Sequence, residues 1–158
     1  MSKLQSASLF VLRVIMGWFY FYAGITKVLN PAWSSAGYIK GASSAAGLYQ
    51  MFLNPQILVV VDFMVKWGLV LLGVSLVFGV CVRLSSYLGA LLMFLLYLPI
   101  LKFPFAGEHA YIVDDHIIYI AVLFVLAHFQ AGNVCGLGKW FSGLHIFTKY
   151  PKLGAWLK

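Results

Sequence analysis

The chain has 158 residues, of which 63% are hydrophobic and 9% are charged, with a mean hydropathy of +0.93 and a formal net charge of +7. Soluble domains are close to half apolar and a quarter charged, and a chain of this length has no core large enough to hide so much apolar surface from water. Composition therefore excludes a soluble enzyme, a nucleic-acid-binding module and a disordered chain, and predicts a small all-α membrane protein with several spans.

Four apolar runs are long enough to cross a bilayer as helices. They are residues 9–29, 57–80, 84–101 and 111–130. Proline follows the first run at Pro31 and precedes the second at Pro55, where it ends or opens a helix. The runs do not alternate as β-strands do, and helices satisfy their own backbone groups in lipid. We therefore expect one four-helix transmembrane bundle over residues 1–158.

The segment between the first two spans has its own periodicity. Within residues 32–56, aromatic and small residues recur at helical spacing, namely Tyr38, Ala42, Ala45, Tyr49 and Phe52. This pattern predicts an interfacial or re-entrant helix. Residues 137–158 combine apolar positions with lysines, which predicts an amphipathic anchor on the membrane surface. Either segment also suits contact with a partner protein.

Charge distribution predicts the orientation of the chain. An even number of spans places both termini on one side, together with the connection between the second and third spans. That side collects most of the basic residues outside the spans, namely Lys3, Arg83, Lys139, Lys149, Lys152 and Lys158. Because positive residues concentrate on the cytoplasmic side, we expect cytoplasmic termini in the plasma membrane of a prokaryote.

One face of the first span carries a charge near each end. Arg13, Gly17, Tyr20, Gly24 and Lys27 follow one another at steps of four, three, four and three. The glycines allow another backbone to approach closely. Charge inside a bilayer is costly, so Arg13 and Lys27 either line a polar pocket or extend to the two headgroup layers.

The second span contains Asp62 and Lys66, which are one helical turn apart. Opposite charges at this spacing attract each other strongly where the dielectric constant is low. The pair is therefore either an internal ion pair with a structural role or part of a binding site.

The start of the fourth span is polar, because it contains Asp114, Asp115 and His116. Asp115 shares a helical face with Tyr119, whereas Asp114 either joins the site or caps the helix. Histidine exchanges a proton near neutral pH. The pattern favours a proton-accepting, hydrogen-bonding site, and the alternative is a helix cap with a solvated rim.

The expected topology brings these groups to one level of the bilayer. Lys27 ends the first span, Asp62 and Lys66 occupy the outer half of the second, and residues 114–116 open the fourth. We therefore predict a polar chamber at the outer end of the bundle, with aromatic walls that include Trp67. Apolar walls with a few convergent polar groups are typical of a site for a lipophilic small molecule.

Metal signals are weak. His116 and His128 are separated by about 18 Å on one ideal helix, too far apart to bind the two faces of one iron. Cys81 and Cys135 lack the spacing of metal ligands. We predict no metal site.

Three groups of residues resemble one known family. They are Leu12-Arg13…Gly17…Phe21…Ala23-Gly24…Lys27…Asn30-Pro31, Trp67-Gly68-Leu69…Leu72-Gly73…Leu76…Gly79…Arg83, and Tyr111-Ile112-Val113-Asp114-Asp115-His116. This pattern is similar to the DoxX/DoxD family, and most similar to the DoxD type. Many DoxX relatives carry a glutamate early in the second helix, where this chain has Asp62 and Lys66.

The resemblance implies a membrane protein with four helices. The namesakes of the family are membrane subunits of an archaeal thiosulfate:quinone oxidoreductase, and other members associate with redox enzymes. On this basis the leading hypothesis is a quinone-linked oxidoreductase subunit that oxidises thiosulfate or a related sulfur anion, with a quinone bound near the outer leaflet.

The charge and ring chemistry of the candidate residues suggest a role for each of them in this hypothesis. Lys27 and Lys66 attract the anion or stabilise the reduced quinone oxygen, and His116 with Asp115 supplies protons. The ring slot and its polar surroundings take the remaining candidates, namely Tyr20, Trp67, Tyr119, Asp62, Asp114 and Arg13.

Two other classes of function stay open. The chain is alternatively a non-catalytic anchor or assembly subunit for a second, redox-active protein. A third hypothesis is an ion or proton pathway, which four spans form only as a homo-oligomer.

Overall fold

The computed structural model describes residues 1–107 and 109–138. Within these residues the chain forms six α-helices, one antiparallel two-stranded sheet and one 3-10 turn. The elements are α1 (Lys3–Val28), α2 (Ala36–Lys40), α3 (Ala46–Met51), α4 (Pro55–Phe78), α5 (Val82–Ile100), β1 (Phe105–Gly107), β2 (Ala110–Tyr111), α6 (Asp115–His128) and the 3-10 turn Ala131–Asn133.

The long helices are arranged as two antiparallel pairs. The most extensive helix contacts join α1 to α4 and α5 to α6, and α4 connects the pairs through its contacts with α5. The shared core contains fully buried side chains from three of these helices, namely Tyr20, Leu76, Leu123 and Leu126. The bundle is therefore two tight pairs that meet around an apolar centre.

Glycine decides how closely α1 and α4 pack. A Cβ atom on Gly17 would lie 2.7 Å from the backbone nitrogen of Val77, and one on Gly24 would lie 2.6 Å from that of Val70. Gly73 of α4 makes the reciprocal approach to the backbone of Phe21. The expectation that glycines of the first span admit a neighbouring backbone is confirmed. Such small-residue contacts are typical of membrane helix pairs.

We expect Gly73→Ala to destabilise the protein and Gly68→Ala to leave it stable. The first methyl group would collide with the α1 backbone, and overpacking of this kind costs about 1–3 kcal/mol. Gly68 has open space within 4 Å of its Cβ position, so alanine there gains helix propensity of up to about 1 kcal/mol. The midpoint of unfolding in denaturing detergent measures both effects, and equal midpoints for the two variants would contradict the close packing.

In residues 1–107 and 109–138, three helices, α1, α4 and α5, have the length and apolarity to cross a membrane. Helix α6 is apolar but has only 14 residues, which corresponds to about 21 Å of helix against a hydrocarbon core of about 30 Å. Many large apolar side chains are exposed on the outer faces, for example Val59, Phe63 and Leu71 of α4. Exposed apolar faces of this extent indicate a lipid environment.

The predicted fourth span begins too early. Ala110–Tyr111 pairs with Phe105–Gly107 as a small sheet, which the sequence did not predict. Ile112 then adopts a positive φ of 58°, a conformation that does not continue a right-handed helix. The helix starts only at Asp115, after Asp114 caps it.

The predicted helix between the first two spans is two short helices, α2 and α3, joined through Gly41. The break lies in residues 41–45, where Ala45 has a positive φ of 54°. An interfacial position for this segment stays a prediction. The predicted amphipathic tail, residues 137–158, lies almost entirely outside the described residues.

Candidate functional site

A cleft of about 530 Å³ lies where the end of α1 turns toward α4. Its walls are formed by the loop residues 31–34 on one side and by one face of α4 on the other, including Asp62, Lys66 and Trp67. Trp33 contributes the aromatic wall from the loop. We name this feature the Trp33 cleft. Three of the predicted site residues therefore come together in one cavity.

Asp62 fixes the loop side of the Trp33 cleft. One of its carboxylate oxygens accepts hydrogen bonds from the Ser35 backbone N–H at 2.8 Å and from the Ser35 hydroxyl at 2.5 Å. Within the described part of the chain, Asp62 forms no ion pair with Lys66. The interpretation of these two residues as an internal ion pair is therefore wrong: Asp62 holds the loop through Ser35 instead.

Two lysines flank the indole of Trp33. The Lys66 ammonium lies 5.3 Å from the ring centroid and that of Lys27 lies 5.6 Å from it. Lys27 also donates a hydrogen bond of 2.8 Å to the carbonyl oxygen of Ala23 in its own helix. Cations at this distance from an indole are attracted to its π face. Two positive charges therefore lie beside the Trp33 ring, and of the two lysines Lys66 lines the cleft.

Sequence reasoning did not assign a site role to Trp33, Ser35 or Phe63. Trp33 follows the end of the first span by a few residues, and Lys27 precedes it by less than two helical turns. An aromatic residue next to a span end that carries a lysine is the signal that would have identified it. Ser35 had no such signal, because its contact with Asp62 depends on how the loop folds back over α4.

A second polar group lies at the start of α6. The Asp114 carboxylate accepts hydrogen bonds from the backbone N–H groups of His116 and Ile117, at 3.1 and 3.3 Å. Its other oxygen lies 2.6 Å from the Nδ1 atom of His116. The alternative that Asp114 caps the helix is confirmed. Asp115 is exposed, and the hydrogen-bonding partner of His116 is Asp114, not Asp115.

The predicted chamber is therefore two separate groups. Lys66, Asp62 and Trp67 line the Trp33 cleft between α1 and α4, whereas His116 and its neighbours belong to the pair of α5 and α6 and do not line it. The physical reason is that α1 pairs with α4 and α5 pairs with α6, so the polar groups at the ends of the two pairs contact different neighbours.

Tyr20 and Tyr119 do not line the Trp33 cleft either. The side chain of Tyr20 is fully buried in the core. The ring of Tyr119 lies 4.7 Å from that of Phe19, between centroids. Both tyrosines therefore belong to the contact between the two helix pairs.

Arg13 is fully buried, and it is many residues away from the end of α1 that borders the cleft. Its guanidinium binds backbone carbonyl groups. Its Nη1 atom donates to the carbonyl oxygens of Ala131 at 2.6 Å and Val134 at 3.1 Å, and its Nη2 atom donates to that of Cys135 at 3.3 Å. Gly79 provides the space, since a Cβ atom there would lie 2.5 Å from Nη1. The idea that Arg13 extends to the headgroups is thus wrong. Arg13 joins α1 to the turn after α6.

Hydroxyl groups attach the segment between α1 and α4 to the end of α5. Pro99 has no N–H group, so the Leu95 carbonyl lacks its helical partner, and the Tyr49 hydroxyl donates to it at 2.6 Å. The Tyr38 hydroxyl donates to the Leu96 carbonyl. Partial burial raises the pKa of Tyr38 to about 12, so this phenol remains a donor at neutral pH. The segment that carries Trp33 is therefore attached to α5 through both of its short helices, α2 and α3.

The described residues contain no cluster of three or more histidine, cysteine or acidic side chains placed to hold a metal ion. No curated protein and no solved structure matches the chain. The model of the DoxX family matches residues 8–100, which include most of α1, all of α4 and α5, and the whole Trp33 cleft. DoxX proteins are membrane proteins linked to functions that accompany oxidoreductases. With more than half of its length matched, and with three helices able to span a membrane, the chain belongs to the DoxX family.

Proposed function

We propose that this protein is the membrane subunit of a quinone-linked oxidoreductase and that the Trp33 cleft receives the quinone ring. The observation that supports this most directly is the combination of Trp33, Trp67 and Lys66 around a cavity of about 530 Å³. Aromatic walls stack against a flat ring, and an ammonium group donates hydrogen bonds to a carbonyl oxygen. These are the requirements of a quinone headgroup.

The surroundings of the cleft suit a lipid-soluble substrate. Phe63 and Val59 of α4 line the cleft and are also strongly exposed, at 61% and 70% of their surface. In a bilayer this face contacts lipid, so a quinone can enter sideways while its apolar tail remains among the acyl chains. The ammonium of Lys66 lines the same cleft and lies 5.3 Å from the centroid of the Trp33 ring.

Charge in the cleft matches the reduction of a quinone. Reduction adds two electrons and two protons, and negative charge develops on the ring oxygens before the protons arrive. Lys66, which lines the cleft, and Lys27, on the Trp33 ring, stabilise that charge. His116, hydrogen-bonded to Asp114, does not line the cleft, so in this proposal it supplies protons through water and not by contact with the quinone. Asp115 is exposed at the same helix start, and we propose that it takes up protons from solvent.

The electron donor in this proposal is thiosulfate or a related small sulfur anion. Two thiosulfate ions join through a new S–S bond to give tetrathionate and release two electrons, which the quinone accepts with two protons. The two lysines beside Trp33 provide positive charge that attracts such an anion. We place the cleft near the outer leaflet of a prokaryotic plasma membrane, with the termini in the cytoplasm, in accordance with the distribution of basic residues.

We expect Trp33→Leu to weaken quinone binding about 2- to 12-fold, because an aromatic stacking partner contributes about 0.5–1.5 kcal/mol beyond its area. Isothermal titration of the purified protein in micelles with a short-chain benzoquinone measures this change. Trp18→Leu is the matched control, since Trp18 is 60% exposed on α1 and does not line the cleft. Equal affinity in the Trp33 variant and the wild type would overturn the assignment of the cleft.

A non-catalytic anchor for a redox partner is the second candidate function. One observation favours it: α3 exposes Leu48 and Met51, at 53% and 66%, on the segment between α1 and α4. A partner subunit would cover these side chains. Quinone binding by the purified chain supports the oxidoreductase site, whereas co-purification with a soluble redox protein, lost in a Leu48→Glu variant and accompanied by no quinone binding, supports the anchor.

A further inference from the structure

Two hydroxyl groups in the core have no hydrogen-bond partner among the residues that the structure describes. They belong to Tyr20 of α1 and Ser86 of α5, and both residues have a relative exposure of 0%. The missing partners are unusual because buried polar groups in proteins are nearly always paired, either with protein atoms or with an ordered water molecule. In a membrane bundle no bulk water is available to take their place.

The two hydroxyl groups lie against the same stretch of α5. A Cβ atom on Gly89 would be 3.5 Å from the Tyr20 hydroxyl oxygen. Ser86 precedes Gly89 by three residues, and helical residues at this spacing are neighbours on one face, with their Cβ positions about 5–6 Å apart. The absence of a side chain at Gly89 thus leaves the phenol of Tyr20 beside the helix surface that carries Ser86.

One water molecule fits the chemistry of this arrangement. A water molecule that makes two hydrogen bonds of about 2.8 Å connects oxygen atoms that are about 4–5.5 Å apart. Tyrosine and serine hydroxyls both donate and accept, so a water molecule between them satisfies each in either direction. Internal waters in proteins occur at otherwise unsatisfied polar groups of this kind.

We propose that Tyr20 and Ser86 hold an internal water molecule that bridges α1 and α5. Tyr20 belongs to the pair of α1 and α4, and Ser86 belongs to the pair of α5 and α6. The water molecule therefore forms a polar connection at the contact between the two helix pairs. Hydrogen bonds between helices stabilise membrane bundles because apolar side chains contact lipid as favourably as they contact one another.

A double-mutant cycle tests the bridge, with the midpoint of unfolding in denaturing detergent as the readout. Tyr20→Phe and Ser86→Ala are each expected to lower the midpoint. The midpoint of the double variant is expected to be no lower than that of the less stable single variant. This non-additivity arises because either substitution already removes the water molecule. Effects that add, or single substitutions that leave the midpoint unchanged or raise it, would overturn the proposal.

Two controls and one second measurement complete the experiment. Tyr22→Phe and Ser8→Ala make the same chemical changes at exposed positions of α1, and we expect no shift of the midpoint for either. Infrared spectra of the wild-type protein in ordinary and ¹⁸O-labelled water are expected to show an isotope-sensitive O–H band of the bound water molecule that disappears in Tyr20→Phe. Absence of this band from the wild type would overturn the proposal even where a variant fails to fold.

Discussion

Lys66→Met is expected to abolish quinone-linked turnover while the protein still folds. Methionine keeps an unbranched apolar side chain beside Trp33, where the Lys66 ammonium now lies 5.3 Å from the ring centroid, but it removes the positive charge. Loss of one donor that stabilises a developing oxyanion lowers kcat by about 100- to 1000-fold. The measurement is thiosulfate-dependent quinone reduction by membranes that contain the complete enzyme.

Lys40→Met is the matched control for this loss. Lys40 is an exposed lysine of α2 that does not line the Trp33 cleft, so its replacement is expected to leave turnover unchanged. If both variants retained full turnover, Lys66 would have no part in the mechanism. If both lost turnover equally, general surface charge and not the cleft would be responsible.

Arg13→Met is expected to cause the largest loss of stability among substitutions of charged residues. The guanidinium satisfies the carbonyl groups of Ala131, Val134 and Cys135, and methionine satisfies none of them. A buried acceptor left without a partner costs about 1–3 kcal/mol. Because the bond to Ala131 is buried and the other two are partly buried, we expect a total loss of roughly 2–4 kcal/mol, measured as an earlier unfolding midpoint.

Two other variants define what that result means. Arg83→Met removes a partly buried arginine of α5 that makes no side-chain hydrogen bond to the residues described, and it is expected to change the midpoint little. Arg13→Lys keeps the charge but lacks the planar fork of donors, so an intermediate loss is expected. An unchanged midpoint for Arg13→Met would show that the carbonyl contacts do not stabilise the bundle.

The sequence predicted that the glycine face of α1 packs closely against another helix, because glycine spacing is a local property. Gly17 and Gly24 are seven residues apart and therefore share a face of the helix, and that face does contact α4. The helical start at Asp114 was open to prediction for the same reason. A cap forms between residues two or three positions apart, so its signal lies entirely within a short stretch of chain.

Reasoning from short stretches of sequence did not identify the partners of the charged residues. Asp62 and Lys66 have the spacing of an ion pair, yet the carboxylate binds Ser35, which is 27 residues away in the sequence. Arg13 binds carbonyl groups that are 118 to 122 residues away. Carbonyl groups occur at every residue, so nothing in the sequence distinguishes the three that a buried guanidinium selects.

The sequence by itself determined that this is a helical membrane protein, because the amount of apolar surface is fixed by composition and no soluble fold of this length can bury it. It also predicted the three long helices, but it overestimated the length of the fourth, because residues 110–111 form a strand and Ile112 has a positive φ. Only the tertiary structure decided that the polar groups of these helices form two clusters and that Arg13 binds the carbonyl groups of the turn after α6. Their grouping depends on which helices pair and on how the loop with Trp33 and Ser35 folds back, and both are consequences of contacts distant in the chain.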